Sequence, residues 1–384
     1  MCAIIGMREI NVPDERSDRM KKLLALMLCC ALMLCALPVF AEEISVTGEV
    51  IDVEKYGHAL LDITIEDFTS LGFELGDIVT VKAGTYEGDM PYFNGYYVEK
   101  GEYMLRAYPG HTFIAVCINY GKFAETAGIG IGDEVTISLK QKAGALTVQE
   151  INNLVYTDAR EDYESDEEFA NFREVTLGGI AAGHFYRAAS AIDNKHNRAG
   201  YADRFIETAG VNAVMNMANT EEELAALLTA EDFASPYYKA LIEGGKVIAL
   251  GMPVNFSSDE FAEGIVKGLT FLSENDAPYM VHCTEGKDRA GFASMLVEAL
   301  MGANEEEIVR DYMLSYVNYY GVEEGTEKYG MIAQKNIMEM LWAVTGLEKG
   351  ASLEGVDLAK AAEDYLLSHG MAAGAIEALK TKLG

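Results

Sequence analysis

From Asn171 onward, short apolar runs alternate with helical patterns, and this alternation constrains the fold more than any other feature. VNAVMNMA, KVIALGM and PYMVHC read as strands. NTEEELAALLTAEDF reads as a helix capped by Asn219 or Thr220, and SSDEFAEGIVKGLTFLSEN as one that starts at a serine cap. AGFASMLVEALMG reads as an amphipathic helix closed by Gly302, and most of the chain beyond Gly302 is helical in pattern. Strands joined by crossover helices line up in parallel and bury both sheet faces. Residues 171–384 are therefore expected to form an α/β domain, a mostly parallel sheet flanked by helices. In such a sheet the site lies beyond the carboxyl ends of the strands.

The stretch before it has another period. VTGEVIDVEKYGHALLDITI, GDIVTVKAG, YYVEKGEYMLRAY, TFIAVCINY and GDEVTISL are strand-like runs separated by glycine turns. Residues 42–140 are expected to form a small all-β barrel domain. Residues 141–170 carry the acidic run EDYESDEE and read as a solvated acidic linker.

The first 41 residues read as a leader. Lys21 and Lys22 precede an apolar run from Leu23 to Leu37, Pro38 breaks it, and Val39 and Ala41 suit a cut after Ala41. Met20 is the more natural start of such a signal peptide. The apolar run is short for a bilayer span. The mature protein is thus expected to be secreted or extracytoplasmic, with no stable membrane span. Cleavage leaves Cys117 and Cys283, too few and too far apart for a disulfide scaffold. Cys117 lies in the apolar run FIAVCINY and reads as a buried small hydrophobe. The 30 basic against 61 acidic residues give a net charge of −31, which argues against nucleic acid as a partner. The six histidines fall in no metal-ligand spacing, so neither a metal nor another cofactor is expected.

The chemistry concentrates where PYMVHC ends. The segment runs Val281-His282-Cys283-Thr284-Glu285-Gly286-Lys287-Asp288-Arg289-Ala290-Gly291. A buried strand delivers a cysteine, and an arginine stands at the entry to a helix. Loop amides from Thr284 through Gly291 and the positive end of the helix make an anion site. Arg289 adds a planar fork for two phosphate oxygens. The same field favours the nucleophilic thiolate of Cys283. Gly286 permits the tight turn. His282 is expected to tune the loop through hydrogen bonds.

HCTEGKDRAG resembles the HCxxGKDR(T/S)G loop of bacterial protein tyrosine phosphatases, in particular the branch of secreted tyrosine and phosphoinositide phosphatases. NFREV (171–175), HFYRAAS (184–190) and DYMLS (311–315) resemble that branch's NFRD, LYRSA and DYxLS stretches. The resemblance implies a cysteine-phosphatase fold, a phosphorylated substrate and a phosphocysteine intermediate. It makes Cys283 the nucleophile, Arg289 the phosphate-binding arginine and Asp288 the proton donor, with Lys287 adding positive charge. Asp259 is the alternative acid, although Ser258-Asp259-Glu260 also reads as a helix cap with first-turn acids. The chain departs from the pattern twice. Asn216-Met217-Ala218 stand where the family has Asp-Leu-Arg, and Ala290 stands where it has Thr or Ser. Arg187 is a weaker candidate for substrate contact, since an arginine in an ordered turn more often pairs with a carboxylate. Substrates consistent with the resemblance are phosphotyrosine, a phosphoinositide or an inositol polyphosphate such as phytate; a low-activity phospho-ligand binding module is the alternative.

The β-rich stretch resembles the C-terminal barrel of SAM hydroxide adenosyltransferases, through Gly48-Glu49-Val50, Lys55-Tyr56-Gly57-His58 and PGHTFIAVCINYGKFAETAGIGIGDEVTISL. That family's catalytic domain has no counterpart here. The resemblance implies the barrel fold, not the activity.

Overall fold

The structure, a computed structural model, describes residues 44–384. The leader-like segment and the proposed cut after Ala41 lie outside the described residues. Two compact units meet in sequence at Ala145/Leu146.

The first unit is a closed barrel of seven strands. They are β1 (Ser45–Val53), β2 (Ala59–Thr64), β3 (Ile78–Ala83), β4 (Tyr86–Phe93), β5 (Tyr103–Arg106), β6 (Phe113–Ile118) and β7 (Glu134–Gln141). Their order around the barrel is β1-β2-β6-β5-β4-β3-β7. Alternate residues such as Val79, Val81 and Ala83 of β3 and Val135 and Ile137 of β7 fill the interior. Cys117, expected to be a buried hydrophobe, is fully buried on β6. Two details differ from the sequence reading. The sequence pattern does not signal β4, because Pro91 and the acids of YEGDMPYF mask its alternation. Residues 96–100 of the expected strand YYVEKGEYMLRAY form a loop, and pairing begins only at Tyr103.

The second unit holds a five-stranded sheet of order β11-β10-β12-β9-β8. The strands are β8 (Arg173–Glu174), β9 (Phe185–Ala188), β10 (Ala213–Asn216), β11 (Val247–Ala249) and β12 (Tyr279–His282). All neighbours are parallel except β8 and β9. Phe185, Met215 and Val281 face one apolar cluster, which includes the helices Asp259–Glu274 and Asp288–Leu300. Tyr186, Val214 and Met280 face another, which includes the helices Ala199–Thr208 and Pro236–Glu243. Burial on both faces explains why these strands read as continuous apolar runs. Thr220, not Asn219, caps the helix Glu221–Leu227, in a capping box with Glu223.

The central helix is not amphipathic. Asp288–Leu300 buries every residue from Ala290 to Leu300, because it is packed between the sheet and the surrounding helices. The solvated acidic linker is a second correction. Residues 146–170 belong to the second unit and include helices Leu146–Ile151 and Asp166–Phe169. Tyr163 and Phe169 are buried beside Tyr319, and the Arg198 guanidinium lies 4.4 Å from the Phe169 ring centroid. These buried rings outweigh the neighbouring acids, which remain on the outside. Among the described residues, no helix is long and apolar enough to cross a membrane.

Candidate active site

Strand β12 is the middle of the sheet, and His282 is its last residue. Cys283 comes next, buried at the carboxyl end of the strand. The helix Asp288–Leu300 starts five positions later, so its N-terminal amides face the same loop. One loop and one helical turn therefore bring together His282, Cys283, Thr284, Glu285, Gly286, Lys287, Asp288, Arg289, Ala290 and Gly291.

Each carbonyl of the loop is engaged by a hydrogen-bonding group. The Cys283 carbonyl lies 3.2 Å from His282 Nδ1. The Ser190 amide donates to the Thr284 carbonyl at 3.1 Å. Asn171 Nδ2 and the Tyr319 hydroxyl donate to the Glu285 carbonyl at 3.1 and 2.7 Å. Arg187 Nη2 donates to the carbonyls of Gly286 and Lys287 at 3.0 and 3.2 Å. Its carbonyls are tied back while the amides of Thr284 to Ala290 donate to no acceptor among the described residues, which leaves them free for an anion.

Gly286 is required by this geometry. Its φ is +70°, and a Cβ there would stand 2.2 Å from the Ala188 carbonyl oxygen. Gly286→Ala should cost at least about 1–3 kcal/mol. A lower urea midpoint together with weakened inorganic phosphate binding is the expected result. Wild-type values in both measurements would show that the loop does not need this turn.

The arginine fork is oriented before any ligand arrives. Arg289 Nη1 donates to the carbonyls of Met217 and Met252 at 3.1 and 2.9 Å, and Nη2 donates to Thr284 Oγ1 at 3.1 Å. His282 is fully buried, and burial pushes its pKa down to about 4. The neutral ring carries one proton. Donation from Nδ1 to the Cys283 carbonyl leaves Nε2 to accept from the Tyr238 hydroxyl at 2.7 Å. Asn216 Nδ2 donates to that hydroxyl at 3.1 Å. Asn216 thus supports the loop through Tyr238 and His282.

The carboxylates divide into three environments. Asp288 Oδ1 accepts from the Tyr312 hydroxyl at 3.3 Å, and Oδ2 lies 3.8 Å from Lys287 Nζ. Burial raises its pKa, with Lys287 opposing and Glu285 adding to the rise. Glu285 accepts from the Tyr156 hydroxyl at 2.8 Å and pairs with Lys287 at 3.3 Å. Asp259 is exposed in the first turn of its helix, beside the Ser258 cap. Its arrangement is that of a first-turn acid.

Behind the loop, Arg187 pairs with Asp311, which also takes Arg173 Nε at 2.7 Å. Against the cost of burial, the two arginines hold Asp311 below the usual carboxylate range. Arg187 has no solvent exposure, so it grips the loop and does not reach substrate. Sequence reasoning anticipates its carboxylate partner but not its hold on the loop. It also misses Tyr156 and Tyr319. Asn171 stands out in the sequence only as part of a matching stretch. Its φ of +47° is a conformation that Asn tolerates better than most residues.

No curated protein matches the chain. Among solved structures, an uncharacterized conserved protein from Thermotoga maritima shares 25% identity over 25% of this chain, with a TM-score of 0.23. The matched part is 37% of that protein's length. The model of the tyrosine phosphatase family matches residues 167–384, more than half of the sequence and all of the loop. The chain belongs to the tyrosine phosphatase family, whose members are phosphoric monoester hydrolases.

Proposed function

We propose that the chain is an exported cysteine-dependent phosphatase acting on phosphotyrosine or a phosphoinositide through a phosphocysteine. The observation that carries this reading is the run of free loop amides directly after the buried Cys283, with the loop carbonyls tied back by outside donors. Cys283 Sγ attacks phosphorus, and the bond to the leaving oxygen breaks as Asp288 gives that oxygen a proton. Arg289 and the amides of Thr284 to Ala290 stabilise the transferring group, whereas the Gly291 amide, expected to join them, donates to the Lys287 carbonyl at 2.9 Å within the helix. Water then attacks phosphorus, releasing phosphate and the thiolate. The leader-like residues 20–41 support export, and N-terminal sequencing of secreted material tests it.

Lys287 is engaged by both Glu285 and Asp288. The entrance therefore carries little free positive charge, which favours singly phosphorylated groups over an inositol polyphosphate. The test is phosphate release from a phosphotyrosine peptide, phosphoinositide vesicles and phytate, with Cys283→Ser as blank. Preference for phytate would overturn the substrate class. No release from any would overturn the activity.

Ala290 bears on the second chemical step. It is fully buried in the first turn after the loop. A hydroxyl there could donate to the departing sulfur, and a hydrogen bond to a charged acceptor is worth about 1.5–3 kcal/mol. Its lack slows dephosphorylation by about tenfold or more. The wild-type enzyme should show a burst of nitrophenolate before a slow steady rate. Ala290→Ser, the smaller of the two hydroxyl residues, should raise the steady rate and shrink the burst. An unchanged trace would make product release or the first step limiting.

A further inference from the structure

The barrel unit carries a cleft of about 1000 Å³ that the phosphatase chemistry does not use. It lies on the outer face of the barrel, where Arg106 of β5 alternates with the interior residues Leu105 and Ala107, and it is bordered by the β1–β2 turn and by residues that come after β4, β5 and β6. Its lining includes Tyr56, His58, Tyr96, Arg106, Tyr108 and Tyr120. Tyr56 and Tyr120 are 65% and 86% exposed. Large rings left in water at the mouth of a cleft are rigid, amphipathic contact area for a ligand.

Beneath the rings the cleft is polar and incomplete. Arg106 is buried and paired with Glu54 at 2.9 Å. His58 is also buried, with Nε2 2.9 Å from the Tyr96 hydroxyl. Arg106 Nε and His58 Nδ1 nevertheless have no hydrogen-bond partner among the described residues. The guanidinium Nε–H is always a donor. His58 Nδ1 is a donor when the Tyr96 hydroxyl gives its proton to Nε2. A buried guanidinium donor without an acceptor, joined by His58 Nδ1 in that tautomer, is a cost that an oxygen-rich ligand removes.

Charge narrows the ligand further. Lys55, Arg106 and Lys122 line the cleft against one carboxylate among the described residues, Glu54. Lys122 also reaches Glu125 at 3.1 Å. In a chain of net charge −31 this local excess of cations selects an anion. Shape narrows it again. Successive ring pairs, Tyr56–His58, His58–Tyr96, Tyr96–Tyr108 and Tyr108–His111, are inclined at 43–79°. Rings so inclined form no parallel slot for a flat base. They offer single faces, which suit the C–H face of a puckered sugar ring.

We propose that this cleft binds an acidic sugar, a uronate residue of an oligosaccharide, with its ring against the exposed tyrosines and its carboxylate toward Arg106 Nε and Lys55. The site would hold the enzyme near an acidic polysaccharide while the second unit turns over its substrate.

Calorimetric titration of the full chain tests this. Trigalacturonate should bind with a Kd below about 1 mM. Cellotriose, its neutral counterpart, should bind at least about tenfold more weakly. Tyr56→Ala combined with Tyr120→Ala should weaken trigalacturonate by about tenfold or more, at an unchanged melting temperature, because both side chains are exposed. Four results would each overturn the proposal. They are no heat with trigalacturonate, equal affinity for cellotriose, tighter binding of adenosine monophosphate, and full affinity in the folded double variant.

Discussion

Cys283→Ser should lower turnover by about four orders of magnitude or more, as loss of a nucleophile does in other two-step hydrolases. Phosphate binding should survive. The sulfur is one atom of the site, whereas the anion is held by the loop amides and Arg289. None of the outside donors that tie back the loop carbonyls depends on that sulfur: Ser190, Asn171, Tyr319 and Arg187 all act on the backbone. The serine variant should therefore keep inorganic phosphate affinity within a few-fold and keep its unfolding midpoint. Rapid-quench trapping should show a labelled phosphoenzyme with wild-type protein and none with the variant. Turnover near the wild-type rate would remove Cys283 from the mechanism. Loss of phosphate affinity together with turnover would mean instead that the cysteine holds the loop in shape.

How much of this is legible in the sequence depends on how local each determinant is. The nucleophile, the arginine and the turn glycine lie within one short segment. A strand, a loop and a helix start suffice to place them, and periodicity reveals all three. The barrel is legible for the same reason, except at β4, where Pro91 interrupts the apolar alternation. Determinants that act at long range leave no such local signal. Arg187 grips a loop about 100 positions away, and the Tyr156 hydroxyl meets Glu285 from farther still. The acidic run at 161–168 looks solvated because its charges dominate any window average, while Tyr163 and Phe169 do the packing. A helix buried on every side has no polar face, so Asp288–Leu300 gives no clue to how deeply it lies. The departures at Asn216 and Ala290 are visible as letters, but only the fold shows that Asn216 braces Tyr238.

Asp288→Asn should separate substrates by their leaving groups. An alkoxide is a poor leaving group and needs a proton as the bond breaks, whereas nitrophenolate departs without one. General acid catalysis is worth about 10²–10⁴-fold. The variant should lose that much on an alkyl phosphate and only a few-fold on nitrophenyl phosphate. The pH profile carries a sign. Burial raises the Asp288 pKa above its ordinary value, so the carboxyl stays protonated at a pH where a free aspartate would be ionised. Above that raised pKa the acid form disappears. The wild-type rate on alkyl phosphate should therefore fall as pH rises through it, and the asparagine variant should lack this limb. Stability obeys the same linkage. The native state binds the proton more tightly than the unfolded chain, so the contribution is present at low pH and lost as pH rises through the raised pKa. Replacing the carboxylate with a neutral amide should then leave stability at neutral pH unchanged or higher, which separates a catalytic defect from a folding one. Equal losses on both substrates would dismiss Asp288 as the acid. Asp259→Asn would then be the variant to show the leaving-group dependence, although the exposure of Asp259 beside the Ser258 cap argues that it will not.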